Sequence, residues 1–188
     1  MIENKKDLKE TLRIERAKYV PAKVYDRIVS FLCYNKEVPI WKYQKLLRKT
    51  EYHYNNKRRS LWHSLNYLFY RRRKNRLGSK LGIEIWENSF AEGLQIHHSG
   101  NIVVNGMARI GKNCQLHGSN CIGNDGKSLD APVIGDNVEI GVGAKIIGGI
   151  RIADNIIIGG GCCRCVVFSG ERYNHWWHTC PQIKVSHA

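Results

Sequence analysis

The sequence has no long uninterrupted hydrophobic run. Its longest apolar-looking stretch, residues 61–70, is about half as long as a membrane-spanning helix and contains His63 and Asn66. The N-terminus has neither the apolar core nor the small-residue cleavage site of a secretory signal. We therefore expect no transmembrane helix and a cytoplasmic location.

The cysteines do not form the two CxxC pairs that are typical of structural zinc sites. The chain has seven cysteines, four of them close to the C-terminus together with His175 and His178. A disulfide framework is not expected in a reducing compartment. We predict no metal site.

Acidic residues are scarce in the first part of the chain. Residues 1–80 contain 22 Lys and Arg against 7 Asp and Glu, whereas the remaining residues contain 8 and 9. Such a segment suits nucleic acid, an anionic membrane surface or a polyanionic ligand. Its aromatic residues fall at helical core spacings, which argues against nucleic acid. A solvated face and a membrane-surface contact both remain open for it, including the cationic run RRRKNR at residues 71–76.

Residues 1–80 are predicted to form short amphipathic helices. Apolar residues recur there at helical spacings, and Pro21 and Pro39 separate the segments. Two groups with this spacing are expected to face a core: Ile40, Tyr43 and Leu47, and Leu61, Leu65, Leu68 and Phe69.

Residues 81–161 show a six-residue period instead. Nine aliphatic residues share one phase, and the single gap falls in the polar insert GNDGKSLDAPV. They are Val104, Ile110, Leu116, Ile122, Ile134, Ile140, Ile146, Ile152 and Ile158. This period predicts a mainly β coil in which each six-residue segment forms one side of a prism. The aliphatic residue of each segment should point inward and stack on the residue three segments away.

Two stretches of this region, HHSGNIVVNGMARIGKNCQLHGSNCIG and APVIGDNVEIGVGAKIIGGIRIADN, resemble the serine acetyltransferase group of hexapeptide acyltransferases. They look closest to the branch found among bacterial surface-polysaccharide genes. The resemblance implies a left-handed parallel β-helix with a short α-helical N-terminal region. It further implies a homotrimer that binds acetyl-CoA, as co-substrate, in the groove between neighbouring β-helices.

The same resemblance implies roles for individual residues. His98 corresponds to the general base, which takes the proton of an acceptor hydroxyl as its oxygen attacks the thioester. Glu84 in LGIEIW corresponds approximately to the acidic residue that orients that base. The implied cofactor-binding residues are Gly123, Gly143, Ala144 and Lys145.

Two departures from the family bear on the acceptor. His97 stands where the serine-specific enzymes have an aspartate, and Asp130-Ala131-Pro132 stands where they have Arg-His. In the serine-specific enzymes, the aspartate and the Arg-His pair would bind a small zwitterion such as L-serine through opposite charges, and this sequence has neither. The sequence therefore favours a surface-polysaccharide sugar hydroxyl as acceptor, with free L-serine as the alternative. A catalytically inactive β-helix trimer that acts as a binding or assembly module is a further alternative.

Residues 162–188 do not continue the repeat. If IGGGCCR is encoded with one base too many, the corrected bases read Ile-Gly-Ala-Gly-Ala-Val, which is the family's usual last coil. We therefore divide the chain into a basic helical region at 1–80, a β-helix at 81–161 and an atypical tail at 162–188. The hypothesis for that tail is out-of-frame translation.

Overall fold

The computed structural model describes residues 1–161 and the backbone of residues 183–185. Within this part of the chain, four α-helices come first: α1 (Lys5–Tyr19), α2 (Val24–Leu32), α3 (Glu37–Asn56) and α4 (Leu61–Leu81). The prediction of helices in this region is confirmed, but α3 and α4 have 20 and 21 residues and are not short, and Pro39 lies in the first turn of α3 instead of separating two segments. None of the described helices is long and apolar enough to cross a membrane.

The helix ends follow local capping rules. Asn4 and Asp7 form a capping box at the start of α1, and the Ser60 side chain accepts the Trp62 N–H at the start of α4. Helix α4 ends at Gly82, whose φ of 65° is a left-handed conformation that glycine adopts without strain. The chain then turns directly into the first strand.

Twelve short strands follow in the described residues. They are β1 (Ile83–Ile85), β2 (Gln95–Ile96), β3 (Ile102–Val104), β4 (Arg109–Ile110), β5 (Gln115–Leu116), β6 (Cys121–Gly123), β7 (Val133–Ile134), β8 (Glu139–Ile140), β9 (Lys145–Ile147), β10 (Arg151–Ile152), β11 (Ile156–Ile158) and β12 (Ile183–Val185).

The strands form three parallel sheets, which we name faces A, B and C. Face A has the order β1-β3-β6-β9, face B the order β4-β7-β10 and face C the order β2-β5-β8-β11. From β2 to β11, each successive strand lies on the next face. The chain therefore winds as a three-sided parallel coil, as the six-residue period predicts. Strand β12 pairs antiparallel with β11 at the end of face C.

The nine periodic aliphatic residues all point into this coil. Each is at most 4% exposed, and they stack in register, as in the column of Val104, Ile122 and Ile146 on face A. The polar insert lengthens one coil by a complete six-residue segment, which explains why the phase survives it. A second inward position, two residues earlier, holds buried side chains of mixed size, from Ala108 and Cys114 to Ile150 and Ile156. The period of aliphatic residues did not reveal that second position.

Buried charges attach the helices to the first coil. The Arg48 guanidinium, 1% exposed, lies 2.6 Å from Glu15 and 2.8 Å from Glu51. It also donates to the carbonyl oxygens of Phe90 and Ala91. Since a buried charge needs compensating partners, this cluster fixes the position of α1 and α3 against the start of the β-coil.

One predicted core face is wrong. Ile40, Tyr43 and Leu47 on α3 are buried, but Leu61, Leu65, Leu68 and Phe69 on α4 are between 51% and 83% exposed. The side of α4 that faces α3 and β1 carries His63, Tyr67, Tyr70, Lys74 and Gly78. Ring contacts with α3 and the close approach of Gly78 to the backbone therefore turn the leucines outward.

The tail hypothesis concerns residues 162–188. Apart from the backbone of β12, these residues lie outside the part of the chain that the structure describes.

Candidate active site

The two adjacent histidines lie at a corner of the coil, between β2 on face C and β3 on face A. Both lie in the loop between these two strands. Ile96 pairs with Leu116, and eight positions separate Ile96 from the next equivalent inward residue, Val104. This corner therefore has two residues more than the repeat requires. His98 is exposed there and does not point into the interior.

Backbone hydrogen bonds hold this corner to its neighbours. The N–H of His97 donates to the Leu116 carbonyl at 2.8 Å, and that of Ser119 donates to the Gly100 carbonyl at 2.9 Å. After the loop, the Ile102 N–H at the start of β3 donates to the carbonyl of Gly82, the residue that follows α4. The loop that carries His98 is thus fixed by both the next coil and the helical region.

Gly118 lies directly beside His98 on the next coil. Its φ is +113°, and a Cβ built on it would lie 3.2 Å from the Cβ of His98. Its carbonyl accepts the N–H of Gly143 on the coil after that, at 3.0 Å. We call Gly118 and Gly143 the glycine column. Neither of these two residues projects a side chain from the surface of the coil.

A buried amide fixes the glycine column from inside. Asn120 is 0% exposed and occupies the second inward position, where Ala108 and Cys114 stand in other segments. Its Oδ1 accepts the Gly118 N–H at 3.0 Å, and its Nδ2 donates to the Gly141 carbonyl at 2.7 Å. A polar residue at this inward position is the sequence signal that could have identified Asn120.

His97 is engaged with other side chains. Its Nε2 lies 2.9 Å from the Gln115 Oε1, and its ring stacks on that of His117 at 4.4 Å between centroids. The His117 Nε2 lies 2.9 Å from a Glu139 carboxylate oxygen, although their relative direction does not make a hydrogen bond. The side chain of His97 is therefore held by Gln115 and His117 beside His98.

Lys36, at the start of α3, contacts the exposed imidazole. Its Nζ lies 3.4 Å from the Nδ1 of His98. An ammonium group only donates, so Nδ1 is the acceptor and a neutral ring then carries its proton on Nε2. Proton abstraction by Nε2 requires this contact to be released. Sequence reasoning missed Lys36, because it is 62 positions away from His98.

Glu84 is not brought to His98. It lies on β1 at face A, in register with Val103, and makes no hydrogen bond or ion pair with His98 in the described structure. It instead lines a cleft of about 440 Å³ between α4 and face A, together with Arg71 and Trp86. The orienting role that the resemblance implies for Glu84 has no contact to support it here.

The predicted cofactor residues divide into two pairs. Gly143 is part of the glycine column, and Lys145 is exposed on face A in register with Cys121. Ala144 is 0% exposed and its N–H already donates to a backbone carbonyl. Gly123 is buried, with the Asn105 side chain against it. Of the four, the surface of the single chain offers Gly143 and Lys145 to a ligand.

Comparison with known proteins gives related sequences and related folds. No family model matches the chain. It is 32% identical over 83 residues to a serine acetyltransferase of Synechococcus elongatus, covering 43% of this chain and 34% of that protein. It is 37% identical over 81 residues to one of Staphylococcus aureus strain Mu50, covering 42% and 38%. The matched segment thus spans little more than a third of these relatives.

Solved structures extend the likeness to the helical region. The serine acetyltransferase of Neisseria gonorrhoeae superposes with a TM-score of 0.60 at 26% identity, covering 85% of this chain and 60% of that one. The enzyme of Brucella abortus gives a TM-score of 0.58 at 17% identity, covering 84% and 68%. The fold is therefore shared with these proteins. None of these comparisons supports the surface-polysaccharide branch.

Proposed function

We propose that this chain is an acetyl-CoA-dependent O-acetyltransferase of the serine acetyltransferase type. One structural observation carries the proposal: an exposed imidazole, His98, stands beside the glycine column at a corner of a parallel β-coil. Sequence relatives and structural neighbours that are serine acetyltransferases support the same reaction class.

The proposed reaction needs two proton transfers at His98, one to the imidazole and one from it. The Nε2 of the neutral imidazole takes the proton of the acceptor hydroxyl while its oxygen bonds to the acetyl carbonyl carbon. The carbon–sulfur bond then breaks, and the departing CoA sulfur receives the proton back from the imidazolium. Because Nδ1 must carry the proton of the neutral ring before Nε2 can accept another, Lys36, whose Nζ lies 3.4 Å from Nδ1, must move aside before the transfer.

The glycine column is the proposed path for the thin pantetheine arm. A Cβ built on Gly143 would meet nothing nearer than 3.7 Å, so this surface is open beside the coil. Because Gly118 and Gly143 lie on successive coils, an extended ligand chain can lie against their backbone atoms without meeting a side chain at either position. The exposed ammonium of Lys145 is the proposed contact for CoA phosphates.

The remaining features of the proposal concern assembly. We propose that the β-coil is left-handed and that three copies of the chain form a homotrimer. The acetyl-CoA groove would then lie between the β-coils of neighbouring copies. Exposed apolar side chains on the coil surface support such packing, since Val103, Met107 and Val142 are 45%, 55% and 53% exposed. Burying them against a second coil would be favourable.

L-serine is the first acceptor to test, because the related proteins carry that name. A sugar hydroxyl is the second acceptor class. One observation favours it: the residue before His98 is His97, held by Gln115 and His117, so no carboxylate stands there to pair with an amino group.

The test is release of free thiol from acetyl-CoA with L-serine and a panel of sugars. We expect His98→Ala to lower kcat/KM by about 10²- to 10⁴-fold, the usual contribution of a general base. His63→Gln, which removes an imidazole on α4, serves as the control and should keep the wild-type rate. Wild-type activity in His98→Ala would refute the proposed base. No turnover with any acceptor, even with the reading frame of the tail restored, would favour the binding module.

A further inference from the structure

The outward side of α4 carries two consecutive patches of different chemistry. Its first half exposes large apolar residues, and the same side of its second half exposes four cations together with the neutral Asn75 and Ser79. The apolar patch consists of Leu61, Trp62, Leu65, Leu68 and Phe69, each between 51% and 83% exposed. The cationic patch consists of Arg72, Arg73, Arg76 and Lys80. We call the two patches together the outer stripe of α4.

Helical spacing explains why these residues share a side. They follow one another at intervals of one, three or four positions, which is the repeat of a single helix face. The opposite side contacts α3 and β1 through residues such as Tyr70 and Lys74. The outer stripe extends over about 30 Å at 1.5 Å per residue, so both patches can meet one flat surface at the same time.

The cationic patch continues into a cleft between α3 and α4. This cleft, of about 220 Å³, is lined by Lys42, Arg73, Arg76 and Lys80 over a floor of Leu46 and Leu77. No acidic residue lines it, and none of its four cations forms an ion pair within residues 1–161. Within residues 1–161, therefore, no ion pair compensates the positive charge of this surface.

Neighbouring groups show the same excess of positive charge. Burial lowers the pKa of Lys45, and the cations of Lys49, Arg16 and Lys42 lower it further. Arg73 also lies over the ring of Phe69, with 5.3 Å between the guanidinium carbon and the ring centroid, at the junction of the two patches. A partner for this surface must supply negative charge and an apolar layer side by side.

We propose that the outer stripe of α4 docks on the surface of an anionic lipid bilayer. The apolar patch enters the boundary between headgroups and acyl chains, and the cationic patch with its cleft binds lipid phosphates. A bilayer offers phosphates at its surface and an apolar layer about 5–10 Å beneath them, so the cationic patch can stay among the headgroups while the apolar patch enters more deeply.

A second copy of the chain fits the stripe less well. A parallel arrangement of two stripes would set four cations against four cations. An antiparallel arrangement would set the cations of each copy over the apolar patch of the other. Neither arrangement supplies negative charge, whereas a layer of lipid phosphates does.

The experiment is co-sedimentation of the full chain with vesicles. We expect binding to vesicles that contain phosphatidylglycerol, weakening as salt is added, and little binding to pure phosphatidylcholine. Arg76→Gln should weaken partitioning about fivefold, the effect of one cation near an anionic surface. Leu65→Ser should weaken it about tenfold, because it removes an inserted side chain. Inorganic phosphate at matched ionic strength should release the protein no better than chloride.

A matched control comes from α2. Phe31 is 71% exposed, like the residues of the apolar patch, but α2 has no run of cations beside it. Phe31→Ser should bind vesicles as the wild type does. All three variants alter exposed or solvent-facing side chains, so circular dichroism melting should confirm an unchanged fold.

Three results would overturn the proposal. The first is equal binding to neutral and anionic vesicles, and the second is vesicle binding that Leu65→Ser and Arg76→Gln leave unchanged. The third is a lower particle mass for Leu65→Ser in sedimentation velocity without any loss of vesicle binding, which would show that a second copy covers the stripe. Thiol release measured on the same preparations keeps this test separate from the proposed enzymatic function.

Discussion

Gly118→Ala tests whether the next coil, which carries Gly118, positions the loop that carries His98. The new Cβ would lie 3.2 Å from the Cβ of His98 and 3.4 Å from its carbonyl oxygen. The φ of +113° is also unfavourable for alanine and costs about 1–3 kcal/mol of stability. Because the loop must move by a few tenths of an ångström or more, we expect kcat/KM to fall by about ten- to a hundredfold.

The matched control for this variant is Gly148→Ala. Gly148 has a similar φ of +98°, but nothing lies within 4 Å of a Cβ built on it. Both variants should lose stability by similar amounts in thermal unfolding followed by circular dichroism. Thiol release should fall only for Gly118→Ala. If the two variants had equal kcat/KM, the argument that Gly118 positions His98 would be refuted.

Three further predictions concern buried polar groups. Asn120→Val removes the amide that bridges two coils, and unfolding in urea should show a loss of about 1–3 kcal/mol; an unchanged midpoint would contradict this role. Arg48→Met leaves the carboxylates of Glu15 and Glu51 buried without their cation, which should cost about 3–5 kcal/mol by the same measurement. The control is the triple variant that also carries Glu15→Gln and Glu51→Gln, which should lose less stability than Arg48→Met alone. Burial lowers the pKa of His53 to about 4, and the neighbouring His63 and Lys49 contribute to this shift. The unfolded state therefore binds the extra proton, so stability should fall as pH drops from about 6.5 towards 4, and His53→Gln should flatten that dependence.

The sequence predicted the β-coil well because a period of six is itself the geometry of the coil. Each aliphatic residue in phase occupies one inward position, so Val104, Ile122 and Ile146 could be expected to form a column. The apolar residues of α4 were misjudged for the opposite reason. A helix with apolar residues on more than one side, such as Leu65 on one and Tyr70 on another, does not specify which side meets the rest of the protein.

The candidate site was only partly predictable. The resemblance identified His98 and Gly143, whereas the residues that place the imidazole are distant in sequence. Lys36 comes from the helical region and Gly118 from the following coil. Contacts of this kind depend on how the coils stack and where the helices attach, and a one-dimensional pattern contains neither.

The placement of the site follows from where the chain departs from its own period. In a regular coil, each segment turns at the same place and its outward side chains lie flat along the faces. On such a surface no side chain projects far beyond its neighbours. The two extra residues before Val104 lift His98 out of that surface, and the long insert after Ile122 does the same for another segment. Regular segments thus provide the support, and one irregular segment carries His98, the proposed general base.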